Sequence, residues 1–208
     1  GGFATPLLVT TGQGDHVALF GYYTVLNVGI LGIAWKRDWR LLNLVGFGFT
    51  FGIATFWGVL RYRPDEYASA QAFLVVVWLL YVAIAVLFAW RRAPRLTDYV
   101  DATLVFGVPL IGFGLQAGLV RDLEYGLAWS ALAVASFYLG LAALLAQRRL
   151  AQLRLLVECF LALGVIFASL AIPFALDASW TAAAWALEGT AAVWVGARQQ
   201  RRAARAFG

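Results

Sequence analysis

Long apolar segments alternate with short polar connections along almost the whole chain. A helix that spans a bilayer needs about 20 mostly apolar residues, and seven segments meet this requirement. They are 17–35, 41–60, 71–90, 99–120, 124–146, 154–176 and 180–197. Because the connections are short, neighbouring helices must run antiparallel. The pattern predicts an all-α fold, a polytopic bundle of seven membrane-spanning helices without an inserted soluble domain.

The basic residues are concentrated in every second connection. The connections after the first, third, fifth and seventh segments contain most of the 16 lysines and arginines: Lys36, Arg37, Arg40, Arg91, Arg92, Arg95, Arg148, Arg149, Arg154, Arg198, Arg201, Arg202 and Arg205. The other connections contain only Arg61, Arg63 and Arg121. Short cytoplasmic loops are enriched in Lys and Arg. We therefore expect the N-terminus outside and the C-terminus inside.

Composition agrees with a membrane protein. The chain is 62% hydrophobic and 13% charged, whereas soluble domains contain about 25% charged residues. The formal charge of +5 is spread over loops and forms no groove-sized patch, so we expect the lipid bilayer as a partner and no nucleic acid. The use of arginine and alanine is typical of GC-rich bacteria, which indicates a bacterial inner (cytoplasmic) membrane.

The chain contains no methionine and starts at Gly1 within apolar sequence. We expect residues 1–208 to form a single transmembrane region, excerpted from a larger membrane protein whose remaining helices pack against it. The oligomeric state stays open.

Ionisable groups within spanning segments are candidates for function, since each costs about 2.5–3.5 kcal/mol at mid-helix on the insertion scale. Glu188 lies near the middle of segment 180–197. It is either a transport or substrate-binding group or a carboxyl group that joins helices, and the second interpretation is the simpler one.

The other polar candidates have structural alternatives as well. Glu158 is one turn from Arg154, so an i,i+4 ion pair explains it. Asp101 lies where segment 99–120 begins, and a carboxylate there complements a helix N-terminus. Asn27, Asn43 and Gln116 complete the candidate intramembrane polar site, although such groups often only join helices.

Two prolines and several pairs of small residues predict the shape of the bundle. Pro109 and Pro173 should kink their helices. Small residues four positions apart let helices approach closely, although such pairs also arise by chance in alanine- and glycine-rich spans. The pairs are Gly48 and Gly52, Gly114 and Gly118, Ala131 and Ala135, and Ala192 and Gly196.

Several kinds of chemistry lack the residues they need. The single histidine, His16, lies before the first segment, and the single cysteine, Cys159, lies inside an apolar one. We therefore expect no catalytic residue of the serine–histidine kind, no metal and no cofactor. The sequence has no phosphate-binding GxxxxGK[ST] motif either.

Several strings along the chain are distinctive: HVALF at 16–20, WRLLNLVGF at 39–47, DYVD at 98–101, AIPFALDASW at 171–180, AWALEG at 184–189 and VWVG at 193–196. Together they resemble one family of bacterial multi-pass membrane proteins, DUF2339. The resemblance spans essentially the whole chain and implies a much longer protein with many more helices. It implies no activity for any residue.

Three functions remain to be compared. Glu188 and the two prolines favour a transport-like role, because they supply polar and irregular backbone at membrane depth. The alternative is a structural or assembly scaffold of the cell envelope, in which polar residues only hold helices together. A membrane enzyme that uses Glu158 and Glu188 as acid and base is the weakest reading, since the sequence offers no catalytic nucleophile, no histidine within a spanning segment and no metal cluster to accompany them.

Overall fold

The computed structural model describes residues 16–36, 40–91, 103–148, 150–176 and 189. Within these ranges the chain forms α-helices with short 3₁₀ and π turns, and no strand. The helices are α1 His16–Lys36, α2 Arg40–Leu60, α3 Tyr67–Arg91, α4 Val108–Leu119, α5 Gly126–Gln147 and α6 Arg154–Ala175. A π turn, Thr103–Gly107, precedes α4, and 3₁₀ turns at Pro64–Glu66 and Ala151–Leu153 precede α3 and α6. The predicted all-α class is confirmed.

The helices form two packed groups that share α4. In the first group, α3 packs against α1 and α4, and α2 packs against the same two helices. In the second, α5 and α6 pack along each other's length, and α5 also contacts α4. This arrangement leaves α1 to α4 around a common space.

The outer surface of the bundle is apolar. Large hydrophobic side chains such as Val25, Leu41, Leu110 and Trp129 are at least 70% exposed. A soluble protein rarely exposes large contiguous apolar patches, whereas lipid solvates them. The helices are therefore membrane-embedded, with a lipid bilayer as their environment.

Four helical segments are long and apolar enough to cross a membrane by length and composition: Leu41–Leu60, Pro64–Trp90, Gly126–Gln147 and Ala151–Ala175. Two further apolar helical segments, Val17–Ile33 and Thr103–Leu119, are shorter. The predicted segment 180–197 lies outside the described residues. Multiple apolar helices are thus established, while the number of seven spans and the orientation of the termini stay predictions.

The connections alternate between the two ends of the bundle. Tyr62, in the α2–α3 connection, and Arg121, in the α4–α5 connection, line the same cavity. At the other end, the Gln152 Nε2 donates a hydrogen bond of 2.6 Å to the carbonyl oxygen of Trp90 at the end of α3. Loops poor in basic residues therefore share one end, as antiparallel neighbours require.

Two helices begin differently from the hydrophobic pattern. The third helix starts at Tyr67 rather than 71. A helix can begin in polar residues that a hydropathy pattern does not include. In its first turn, Ser69 Oγ donates a hydrogen bond to the Glu66 carbonyl at 2.9 Å. The fourth segment is divided at Gly107 into the π turn and α4. Pro109 lies in the first turn of α4, where its missing N–H costs no helical hydrogen bond. Pro173 lies inside α6.

Glycines let large side chains pack closely at two helix contacts. A β-carbon added at Gly164 on α6 would lie 2.6 Å from Leu139 Cγ on α5. One added at Gly112 on α4 would lie 2.9 Å from Trp78 Cδ1 on α3. The absence of a side chain at Gly164 therefore allows α5 and α6 to pack closely.

Candidate functional site

A cavity of about 540 Å³ lies among α1, α2, α3 and α4. Its volume is within the range of about 300–1,000 Å³ that holds drug-sized ligands. Along α2 it extends from Thr50 to Val59, which is about 13 Å at 1.5 Å per residue. We call this space the α1–α4 cavity.

The walls of the α1–α4 cavity carry aromatic rings on one side, and glycines with larger aliphatic side chains on the other. Phe20 of α1 packs edge-on against Trp57 of α2, with ring centroids 4.9 Å apart, and lies 5.6 Å from the ring of Phe73 on α3. The opposite wall is α4, where Gly114 and Gly118 line the cavity. No described residue lies within 4 Å of a β-carbon added at either glycine, so these positions leave the space that a ligand could use.

A buried hydrogen-bonded cluster closes the inner end of the cavity. Asn27 of α1 is fully buried, and its Oδ1 accepts a hydrogen bond of 2.6 Å from the Tyr81 hydroxyl of α3. Its Nδ2 donates to Thr50 Oγ1 on α2 at 3.0 Å and to the Tyr23 carbonyl at 2.9 Å. Thr50 and Tyr23 also line the cavity. We call Asn27, Thr50 and Tyr81 the Asn27 cluster; it ties three helices together and places a hydroxyl at the apolar cavity.

The other end of the cavity, which we call the loop end, carries a charged group. Arg121 is the charged residue among the described lining residues, and Tyr62 lies beside it. The Arg121 Nε donates to Asp122 Oδ2 at 3.3 Å, and both side chains are well exposed. Such an exposed pair contributes little to stability. The remaining N–H groups of the guanidinium are available to a ligand.

The Tyr62 hydroxyl is a hydrogen-bond donor at neutral pH, as an ordinary phenol is. Its pKa is raised above the usual value, mainly by desolvation and further by Tyr67, Asp122 and Glu66, while the Arg121 guanidinium opposes the shift. The loop end presents a cation and a hydroxyl donor next to each other.

A tight turn holds Arg121 at the loop end. Leu123 N donates to the Val120 carbonyl and Gly126 N donates to the Leu123 carbonyl, each at 3.0 Å. Tyr125 has a φ of 56°, in the left-handed region that costs a non-glycine residue roughly 1–2 kcal/mol. A β-carbon at Gly126 would lie 2.9 Å from Val120 Cβ and 3.0 Å from the Val120 carbonyl oxygen. The turn therefore depends on glycine at 126.

We expect Gly126→Ala to destabilise the protein by about 1–3 kcal/mol, because the new methyl group meets backbone that cannot turn away. Tyr125→Gly should stabilise it by about 1 kcal/mol, because glycine adopts the left-handed conformation without strain. The control is Gly140→Ala on α5, where a β-carbon meets no described residue within 4 Å. Thermal unfolding of the purified protein measures all three, and equal midpoints for Gly126→Ala and Gly140→Ala would contradict the expectation.

Of the predicted polar residues that the structure describes, only Asn27 lies at the cavity region, in its cluster. Asn43 is buried on α2 and is not a lining residue. Gln116 faces α5, where its Nε2 donates to Ser130 Oγ at 3.1 Å. Glu158 forms the predicted ion pair, with Arg154 Nε 3.2 Å from its Oε1, and both side chains are exposed. Glu188 and Asp101 lie outside the described residues.

The small-residue pairs have different surroundings. Ala131 and Ala135 are buried on α5, as a close contact requires. Gly48 and Gly52 are exposed, with no described residue within 4 Å of an added β-carbon. Gly114 and Gly118 likewise make no close helix contact among the described residues, so the expectation of close approach is wrong for them there. Gly114 and Gly118 line a cavity instead. A glycine leaves space beside its helix when the neighbouring helix does not pack against it. Ala192 and Gly196 lie outside the described residues.

Sequence reasoning did not identify Thr50, Tyr81, Tyr62 or Arg121 as site residues. Threonine and tyrosine are common in spanning helices, and their convergence on Asn27 depends on the rotation of three helices. Arg121 was counted only as a topology signal. Its isolation in a connection otherwise free of basic residues was the one sequence feature that could have distinguished it. Among the described residues, no group of three His, Cys, Asp or Glu side chains could hold a metal ion.

The fold and the cavity define a polytopic helical membrane protein with a partly open apolar cavity. The chain belongs to the DUF2339 family, described as predicted membrane proteins, whose family model matches residues 1–208. Neither a curated protein nor a solved structure matches the chain.

Proposed function

We propose that this protein has a transport-like role in a bacterial inner membrane, and that an apolar small molecule occupies the α1–α4 cavity during that role. The observation that carries the proposal is the cavity itself, which is of ligand size and is walled by aromatic rings and glycines. The cavity is partly open and has a volume of about 540 Å³, which is within the size range of ligand sites. This size supports a binding role.

The predicted topology gives the cavity a direction. The connections at its loop end contain three of the 16 basic residues, so the positive-inside rule places this end outside. The inner end then lies at membrane depth, where transporters place their substrate sites. The Asn27 cluster supplies polar groups there, and Glu188 stays a further proposed participant.

The second candidate is a structural or assembly scaffold. It is favoured by the interhelical hydrogen bonds of the Asn27 cluster and of Gln116 with Ser130, which join helices without any ligand. The two functions differ in what they require of the cavity. A scaffold needs intact helix contacts, whereas a transport-like protein also needs the empty volume.

Filling the cavity is therefore expected to abolish activity without affecting abundance. Gly114→Leu places a side chain in the α1–α4 cavity, while Gly48→Leu places the same side chain on an exposed face of α2. Neither new β-carbon meets a described residue within 4 Å. Each full-length variant is expressed in a strain that lacks the wild-type protein, and rescue of the deletion phenotype is compared with membrane abundance.

We expect Gly48→Leu to rescue fully and Gly114→Leu to reduce rescue to the level of the empty vector, with both proteins present at wild-type abundance. Full rescue by Gly114→Leu would favour the scaffold, because the volume would then be dispensable. Glu188→Gln is tested in the same strain. Loss of rescue with normal abundance would support a functional carboxyl group, whereas equal loss of rescue and abundance would indicate a structural one.

A further inference from the structure

We propose that the ligand of the α1–α4 cavity is a single-chain lipid with an anionic headgroup, whose chain lies between the helices and whose headgroup binds Arg121 and Tyr62. This inference rests on the proposed function and names the chemical class of its substrate. It depends on the distribution of polarity along the cavity, which is apolar through its length and cationic at the loop end.

The shape of the cavity fits one hydrocarbon chain. It is elongated, about 13 Å along α2, and its walls through that length are rings and small residues such as Phe51, Trp57 and Ala54. Its volume of about 540 Å³ suits one drug-sized molecule rather than a complete two-chain phospholipid. A hydrocarbon chain that enters the cavity from the bilayer moves from one apolar environment to another. The specificity of lipid binding must therefore come from the polar headgroup.

The loop end favours a negative headgroup. Arg121 is the charged lining residue among those described, and only its Nε is used by Asp122. A guanidinium can donate two parallel hydrogen bonds to a carboxylate or a phosphate. The protonated Tyr62 hydroxyl adds a third donor on the same side.

Asp122 occupies the Arg121 Nε, and the other acidic residues near the loop end do not line the cavity. Glu66 Oε2 accepts a hydrogen bond from the backbone N–H of Arg63 at 3.2 Å; Glu66 does not line the cavity, although its charge acts on Tyr62. Asp65 and Glu124 are exposed and do not line the cavity. These carboxylates reduce the net potential at this end of the bundle, so we expect recognition of the headgroup to depend on contact with Arg121 rather than on long-range attraction.

Photolabelling with matched probes tests the inference. Three probes share one diazirine-bearing alkyl chain and end in a phosphate, an alcohol or an amine. Each is added to the full-length protein in nanodiscs of zwitterionic lipid, and mass spectrometry measures the labelled fraction of peptides from α2 and α4. We expect the phosphate to label these peptides about tenfold more than the alcohol, the gain that a partly exposed charged hydrogen bond provides. The amine should label least.

Variants assign the effect to residues. Arg121→Gln should lower phosphate labelling about tenfold, to the level of the alcohol, whereas Arg61→Gln, an exposed residue at the same end that does not line the cavity, should leave it unchanged. Gly118→Leu should remove labelling by all three probes, and Gly52→Leu, on the exposed face of α2, should not.

The outcomes separate this inference from the proposed function. Equal labelling by phosphate and alcohol, unaffected by Arg121→Gln but removed by Gly118→Leu, would overturn the anionic headgroup and leave an apolar ligand in the cavity. Preferential labelling by the amine would overturn the headgroup as well. Labelling of α2 and α4 that persists unchanged in Gly118→Leu would overturn both, because the labelled site would then not be the α1–α4 cavity.

Discussion

Replacing Gly164 with leucine is expected to force α5 and α6 apart and to remove most of the folded protein from the membrane. The first atom of the new side chain would lie 2.6 Å from Leu139 Cγ and 3.2 Å from the Leu139 backbone nitrogen. The leucine side chain can rotate away, but the backbone cannot. Overpacking of this kind typically costs about 1–3 kcal/mol and occasionally more, and we expect at least about 3 kcal/mol here.

The expected loss is specific to the helix contact. Gly140→Leu adds the same side chain to α5 at a position with no described residue within 4 Å, and it should unfold at the wild-type temperature. Leu139→Ala should partly rescue Gly164→Leu, because it returns space at the contact. Thermal stability is measured by the fraction of full-length protein that stays monodisperse after heating in detergent. A Gly164→Leu protein as stable as Gly140→Leu would show that α5 and α6 do not pack as described.

Replacing Asn27 with leucine is expected to give the second large effect, a loss of about 2 kcal/mol in the free energy of unfolding. The amide is fully buried and bonds to Thr50 and Tyr81 from two other helices. Leucine has a similar shape but no hydrogen-bonding group, so the 2.6 Å bond from the Tyr81 hydroxyl loses its acceptor at a fully buried position. The same heating assay measures the loss.

A fully apolar triple variant distinguishes structure from function in this cluster. Asn27→Leu combined with Thr50→Val and Tyr81→Phe removes every member, and stability should return close to wild type because no polar group is left without a partner. A scaffold would then work normally. A protein that uses the Thr50 hydroxyl at the inner end of the cavity would be folded and inactive, which is the result we expect. A triple variant as unstable as Asn27→Leu alone would contradict the hydrogen-bonding explanation.

Hydropathy was sufficient to predict the helices of the described part of the chain. Segment 41–60 corresponds to α2, Arg40–Leu60, and segment 154–176 to α6, Arg154–Ala175. The ion pair between Arg154 and Glu158 was also predictable, because their spacing of four residues places both side chains on one face of a helix. These features depend on neighbours in the sequence, where the geometry of a helix fixes the distance between side chains.

Features that depend on helix rotation could not be read from the sequence. The motif of two glycines four residues apart occurs at Gly48 and Gly52 and at Gly114 and Gly118, yet one pair is exposed on the outer face of α2 and the other lines a cavity. The glycine that does mediate the closest helix contact is Gly164. A small residue permits close approach but does not bring it about, because the neighbouring side chains decide whether the space is filled.

The most direct test of the α1–α4 cavity is an electron cryo-microscopy structure of the full-length protein, extracted with its native lipids and compared with Gly118→Leu. We expect density for an elongated molecule between Thr50 and Arg121 in the wild type and none in the variant, with the helices unmoved. A cavity closed in the wild type by side chains from another helix of the protein would contradict a binding role and would leave the scaffold as the better explanation.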